Sequence, residues 1–570
     1  MLEEVCYWLI CFVPPEAADG PRIFGFSEFI TALALLVLLY TIADIRYKFR
    51  LTVTPGALYP VTFGLIVFIG VGTLATEVWL AEGWWVPRST GLSRTIWQAM
   101  FGMLFLGAFL TWMYYAFLRP PIFSKRNWYK YGQTLFRVVL KGDDAELPVI
   151  ADELGRSAYA LVKLANRVRP KGPKKGRYKP DVEGYAHDML LLIANRKLCR
   201  HIVRSAPNTA LRFFDAMTSE KKYNIPLGQF AKAISAEAIA YKESALYQED
   251  DGFDSGLIGY LKPWTRGIYG NIELVEALGD GFGSPLDVGY QDVWSWDADQ
   301  WGAYCRATLM TFESYLTAER GGRQHSYVLW RAVGEMKTAL MDLYKVDGIA
   351  GAAFEMDEYK RLRVIVKFVR DMVQLIDKQE KAVPGVLRQR EQHARGDLYG
   401  LIANLIFETL FAASHVKAPL DLAWSVHHNS TWSEFFSFED SKTWKIIHHR
   451  VRRLLYDEIA KMAESPNYKS AAILGLLLNV IGFGITRGKH SIDRNHWPLT
   501  MAVRSVAKRN YMTVRDRFPD VASAVLIGGI TFDEGTRRLV KTYSKGLEKE
   551  PARSYLEVDP PREAAELTER

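Results

Sequence analysis

The side chains with most capacity for chemistry in this 570-residue chain are cations grouped late in the sequence. Wound at about 100° per residue, one stretch puts Trp444, Ile447, Val451, Leu454, Leu455, Ile459 and Met462 on a single face. Lys442, Lys445, His449, Arg452, Arg453 and Tyr456 then share an arc away from it. A second stripe, Arg504, Lys508, Tyr511 and Arg515, repeats at i, i+4, i+7 and i+11. Cations spaced about 6 Å apart with rings between them suit a phosphate chain carrying stackable bases. Both stripes are therefore candidate sites for an acidic ligand, a nucleotide signal or nucleic acid. A third basic group, Lys171, Lys174, Lys175, Arg177 and Lys179, lies in RPKGPKKGRYKP. Its prolines and glycines prevent a packed face, so it reads as a solvated loop open to phosphates or anionic lipid. The ordinary alternative for each group is a solvated surface without a partner.

Other constellations are weaker. His415, His427, His428, His448 and His449 share a region with Glu434, Glu439 and Asp440. A metal site needs two or three of these to converge with a carboxylate, and adjacent histidines on a helix point apart. The expectation is polar surface with one or two core histidines, and no metal or cofactor. Gly279, Gly281 and Gly283 lack the preceding strand and following helix of a dinucleotide loop. There is no Walker lysine motif, no HExxH and no Gly-x-Ser-x-Gly elbow, so no catalytic residue is assigned and a non-enzymatic role is favoured. The four cysteines, Cys6, Cys11, Cys199 and Cys305, are too few for a disulfide framework.

What positions these groups is a chain of two characters. Residues 1–118 carry 6 Lys or Arg against 8 Asp or Glu, and the remainder carries 66 against 56. The front is slightly acidic and the rest strongly basic, which favours acidic partners. Apolar runs at 26–43, 58–81 and 96–118 each approach the ~20 residues needed to cross a bilayer, with aromatic residues such as Tyr59, Trp84, Trp97 and Trp112 towards their ends. Arg46, Lys48 and Arg50 follow the first run, and Arg119, Lys125, Arg126 and Lys130 follow the third, whereas Glu3, Glu4, Glu16 and Asp19 precede the first. Positive segments stay inside, which predicts a multi-pass protein of the cytoplasmic membrane with the N-terminus outside and the large C-terminal part in the cytoplasm.

The expected fold class is mainly α: a three-helix transmembrane region followed by a large, all-helical cytosolic domain. Its parts are an extracytoplasmic segment (1–25), the spans (26–118), a juxtamembrane helix and basic loop (119–180), a first helical subdomain (181–250), a Gly-rich connection (251–296), a second helical subdomain (297–549) and a disordered tail (550–570). A fourth apolar run from Ala471 to Ile485 is too short to span and is expected as a core helix. Gly64, Gly70, Gly72, Gly102 and Gly107 allow close helix contact in the spans, and one chain with three spans is too thin to enclose a pore. The functional expectation is a homo-oligomeric membrane effector or receptor that senses an acidic ligand and acts through its spans, as a channel or a membrane-disrupting agent of defence or signalling. The alternatives are a constitutive tether for nucleic acid or a protein complex, and a membrane-bound enzyme using the late histidines.

Overall fold

The computed structural model describes residues 5–7, 10–13, 23–42, 44–56, 58–87, 94–165, 181–249, 254–255, 259–260, 263–279, 283–318, 325–379, 397–437, 441–483, 491–544 and 550–561. The basic loop with Lys171, Lys174, Lys175, Arg177 and Lys179 lies outside these residues, as do Glu439, Asp440 and Gly281. The fold is mainly helical, as the periodicity predicts, and it divides into two compact units, residues 1–230 and 231–570.

The first unit opens with strands β1 (Val5–Tyr7) and β2 (Ile10–Val13), which pair antiparallel in a register that sets Cys6 opposite Cys11; β2 also pairs with β3 (Val86–Pro87). Three apolar helices follow: α1 (Phe26–Ile42), α3 (Leu58–Ala81) and α4 (Arg94–Met113), the last continued by a π-helical turn to Leu118. Two of these runs, Pro60–Ala81 and Thr95–Leu118, are long and apolar enough to cross a bilayer, and only 11% of each is buried. The first expected span is shorter: α1 has 17 residues against the roughly 20 a bilayer core requires, so length and composition single out two helices rather than three.

Phe29 of α1, Ile69 of α3 and Phe101 of α4 form the core that joins these helices. Glycine makes that contact possible, because a Cβ at Gly70 would come within 2.8 Å of the Phe29 ring and one at Gly72 within 2.6 Å of Phe101. Gly64 and Gly107 face open space instead. At the end of the bundle where α1 finishes and α3 begins, the short amphipathic α2 (Ile45–Thr52) meets α5 (Trp128–Lys141) and α6 (Glu146–Leu164). Asn127, just before α5, donates to the Val53 and Ile122 carbonyls at 2.8 and 3.0 Å. Helices α7 (Val182–Leu192), α8 (Arg196–Ser205) and α9 (Pro207–Glu220) pack on α6.

The second unit is built on α10 (Ala298–Thr317), α11 (Asp357–Asp377), α12 (Leu398–Ala413), α13 (Lys442–Glu464), α14 (Tyr468–Ile481) and α15 (Ser491–Arg517). Local chemistry sets their starts: Asp297 and Gln300 form a reciprocal capping box, and Asp397, Ser441 and Asn467 each accept a backbone N–H of the first turn. Residues Ser470–Asn479 of α14 are buried on every side, so the apolar run there serves as a core helix.

Three expectations need correction. The region 251–296 is more regular than a Gly-rich connection, with short helices at Pro263–Tyr269, Ile272–Gly279 and Tyr290–Trp294. The basic part is not all-helical, because β4 (Ile530–Asp533), β5 (Arg538–Thr542) and β6 (Arg553–Glu557) form an antiparallel sheet. The third strand falls in the stretch expected to be disordered; it is held by five paired positions on β5 and by burial of Leu556.

Candidate functional site

Helix α13 presents the first basic arc much as its periodicity predicts. Trp444, Ile447, Val451, Leu455, Ile459 and Met462 are buried, while Lys442, Lys445, Arg453 and Tyr456 are exposed and His449 and Arg452 are half-buried. Among the described residues, Lys442 and Lys445 meet no carboxylate. Arg453 lies 3.7 Å from Asp457, one turn on. Arg452 leans the other way, close enough to His448 and His496 that its charge adds to burial in depressing both imidazoles.

The second stripe does not form an open track. Tyr511 is 2% exposed and packs on Phe532 of β4 at a ring separation of 5.3 Å. Arg515 pairs with Glu534 and lies 4.5 Å over the same Phe532 ring, and Lys508 lies 3.6 Å from Asp559. Arg504 is half-buried, with its Nη1 sealed and unpartnered among the described residues. Spacing along one helix carries no information about a sheet that arrives later in the chain and supplies acids to its cations. On α15 only Tyr511 of the stripe is packed inside, while Lys508 is exposed but faces Asp559 and Arg515 is half-buried against Glu534; Lys442 and Lys445 on α13 are exposed with no carboxylate beside them among the described residues.

The histidines disperse. His415 is exposed, with Nδ1 3.1 Å from the Phe411 carbonyl, and His428 stacks on Trp424 at 4.5 Å. His427 is fully buried: Asn479 Nδ2 donates to its Nδ1 at 2.9 Å, and its Nε2 donates to the Ala413 carbonyl at 3.0 Å. Those partners fix one neutral tautomer, and burial lowers the pKa to about 4. His448 donates to the Phe435 carbonyl at 2.6 Å, and burial again lowers its pKa to about 4. His496 sits among Trp432 and Phe436, with both ring nitrogens buried and unpartnered among the described residues; burial first, then Arg452, lowers it to about 3. Among the described residues no three His, Cys, Asp or Glu side chains gather in a way that could hold a metal.

Two features escape sequence reasoning. The first is an eight-residue π-helix, Ser425–Trp432, which carries His427, together with Lys541 of β5, which lies against Trp424 just before it. Lys541 is 2% exposed, donates to the Asn479 backbone carbonyl, and lies 5.0 and 4.5 Å from the Trp424 and Tyr543 ring centres. Burial lowers its pKa to about 8, while the facing rings and carbonyl accommodate the charged form. An alternating apolar strand with one lysine on its inward face is the only sequence signal for it.

The second lies in the first unit. Arg50 of α2, 5% exposed, makes a bidentate pair with Glu153 of α6, 3% exposed, with Nε–Oε2 at 3.0 Å and Nη2–Oε1 at 2.6 Å. Its remaining nitrogen, Nη1, donates to the Ala116 carbonyl at 2.7 Å, inside the π-turn that ends α4. One guanidinium thus ties α2, α4 and α6 together, in the planar fork geometry that only arginine supplies. No protein-family model matches the chain, and no curated protein and no solved structure is significantly similar to it.

Proposed function

We propose that this chain is a homo-oligomeric, multi-pass effector or receptor of the cytoplasmic membrane. In it α1, α3 and α4 cross the bilayer and a basic helical body faces the cytoplasm. The body binds an acidic ligand, a nucleotide signal or nucleic acid, along the exposed edge of α13 at Lys442, Lys445 and Arg453, and the spans respond by associating or opening. The observation that carries this is the three-way Arg50 link, which joins α6 to α2 and to the turn that ends α4 and so offers a direct contact between the helical body and the apolar helices. The uncovered flanks of α3 and α4, with Gly64 and Gly107 open to neighbours, support association between copies. Carrying such a switch from 1:99 to 99:1 takes about 5.5 kcal/mol of differential affinity, which several cations per subunit summed over an oligomer can supply.

The test compares full-length wild type with Arg50→Gln and with Lys442→Glu/Lys445→Glu, scoring polyanion binding and membrane potential in cells. The expected pattern is binding without depolarisation for Arg50→Gln, and neither for the lysine variant. Binding by wild type with no effect of any variant on the membrane favours a constitutive tether.

A further inference from the structure

A groove of about 960 Å³ runs along the first unit between α1 and α3, a volume at the upper end of ligand pockets. Its two ends differ in chemistry. From Phe26 to Tyr40 the α1 wall extends about 21 Å at 1.5 Å per residue, faced by Val67, Val71 and Leu74 of α3, and this length is apolar. At the inner end the lining changes abruptly to Lys48 of α2 and Lys130 and Arg137 of α5, joined by Gln133. Among the described residues no carboxylate lines the groove and none of the three cations is paired with one. Lys48 lies 5.9 Å over the Tyr40 ring and Lys130 donates to the Gly56 carbonyl, so two of the three are held at the groove mouth.

We propose that this groove is a binding site for one anionic phospholipid, its acyl chain lying along α1 and α3 and its phosphate between Lys48, Lys130 and Arg137. The proposal rests on the membrane placement argued above and assigns a regulator or structural lipid to its inner leaflet. The apolar length exceeds the roughly 15 Å of hydrocarbon in one leaflet, so a chain fits without leaving the groove. Three unopposed cations at its inner end match a phosphodiester and disfavour a zwitterionic headgroup, whose choline would meet like charge. A second copy of an apolar span would fill the length but leave those cations facing no anion.

The experiment purifies full-length protein from cells in mild detergent and counts retained lipids by native mass spectrometry. It then repeats the count after exchange into nanodiscs of phosphatidylcholine with and without phosphatidylglycerol. One anionic lipid per chain is expected, with its affinity falling about fivefold per cation removed and roughly a hundredfold in Lys48→Gln/Lys130→Gln/Arg137→Gln. A plugged variant, Leu33→Trp/Val71→Trp, keeps the spans apolar and is expected to lose the lipid while still inserting. Equal retention of both lipids, or full retention by the plugged variant, overturns the lipid site. Release of the wild-type protein from membranes by alkaline carbonate overturns the membrane placement itself, so the two failures are distinguishable.

Discussion

Removing Glu153 should loosen the junction of α2, α4 and α6 more than removing Arg50 does. In wild type, Glu153 faces Arg50 at 2.6 Å and also lies within 3.7 Å of Arg46 and 3.6 Å of Arg156, whose side chains are 35% and 42% exposed. Glu153→Ala leaves a buried guanidinium with no carboxylate partner among the described residues, held by the Ala116 carbonyl and the Tyr47 ring, and breaking a buried pair this way costs about 3–5 kcal/mol. Arg50→Ala leaves a carboxylate that two half-exposed arginines still reach, so its cost should fall at the lower end or below. The double variant Arg50→Met/Glu153→Leu removes both charges and restores apolar volume. Such replacements are often neutral or stabilising, and the unsatisfied Ala116 carbonyl adds back about 1–3 kcal/mol. Amide exchange along α6 in detergent-solubilised full-length protein reads this local opening directly. The expected loss of protection in Glu153→Ala is a hundredfold or more, with the double variant closer to wild type than either single change. The reasoning is refuted if the double variant is as unprotected as the sum of the singles, or if Glu153→Ala exchanges like wild type.

Three further outcomes are expected. His427, His448 and His496 have their pKa values lowered to about 4, 4 and 3, so the unfolded chain binds more protons than the folded one below about pH 6.5. Their contribution is therefore complete above pH 6.5 and is lost as pH falls towards 4, by several kcal/mol in all. Tryptophan fluorescence during acid titration should show a transition in that window, shallower in His448→Phe/His496→Phe; a flat profile there contradicts the assignment. In the spans, Gly70→Val and Gly72→Val should disrupt the monomer by driving a Cβ against Phe29 or Phe101, whereas Gly64→Val and Gly107→Val should leave it intact and weaken only self-association, as read by detergent sedimentation. Polyanion binding should fall steeply with salt, and the slope should shrink by about two on changing Lys442 and Lys445 to Gln but hardly at all on changing Lys508, which already faces Asp559.

Much of the helical frame is legible in the sequence. Helices α10, α11 and α12 are runs of 20, 21 and 16 residues whose apolar positions recur at helical spacing, and two of them begin at an aspartate cap. Helices α5 and α9 were not foreseen. The terminal sheet was not foreseen either, since its strands have only four or five residues and the last is stabilised by a partner on the far side of a ten-residue gap. The basic arc of α13 was legible because one helix contains it whole. The α15 stripe misled because Glu534, Phe532 and Asp559, which neutralise or cover it, come from other elements. Arg50 was read only as a topology signal. Nothing in its neighbourhood of sequence names Glu153 as its partner.

The separation of 103 positions between Arg50 and Glu153 also orders events during biogenesis. Translation at about 5–20 residues per second delivers Glu153 roughly 5–20 s after Arg50 has left the ribosome. During that interval, in the topology proposed above, Arg50 is an uncompensated charge beside the nascent first hairpin and counts in full toward keeping that loop on the cytoplasmic side. Once α6 arrives, the same charge is neutralised and withdrawn into the fold. In that topology a single side chain would act first as a sorting signal for the translocation machinery and afterwards as a latch that makes the sorted arrangement hard to reverse.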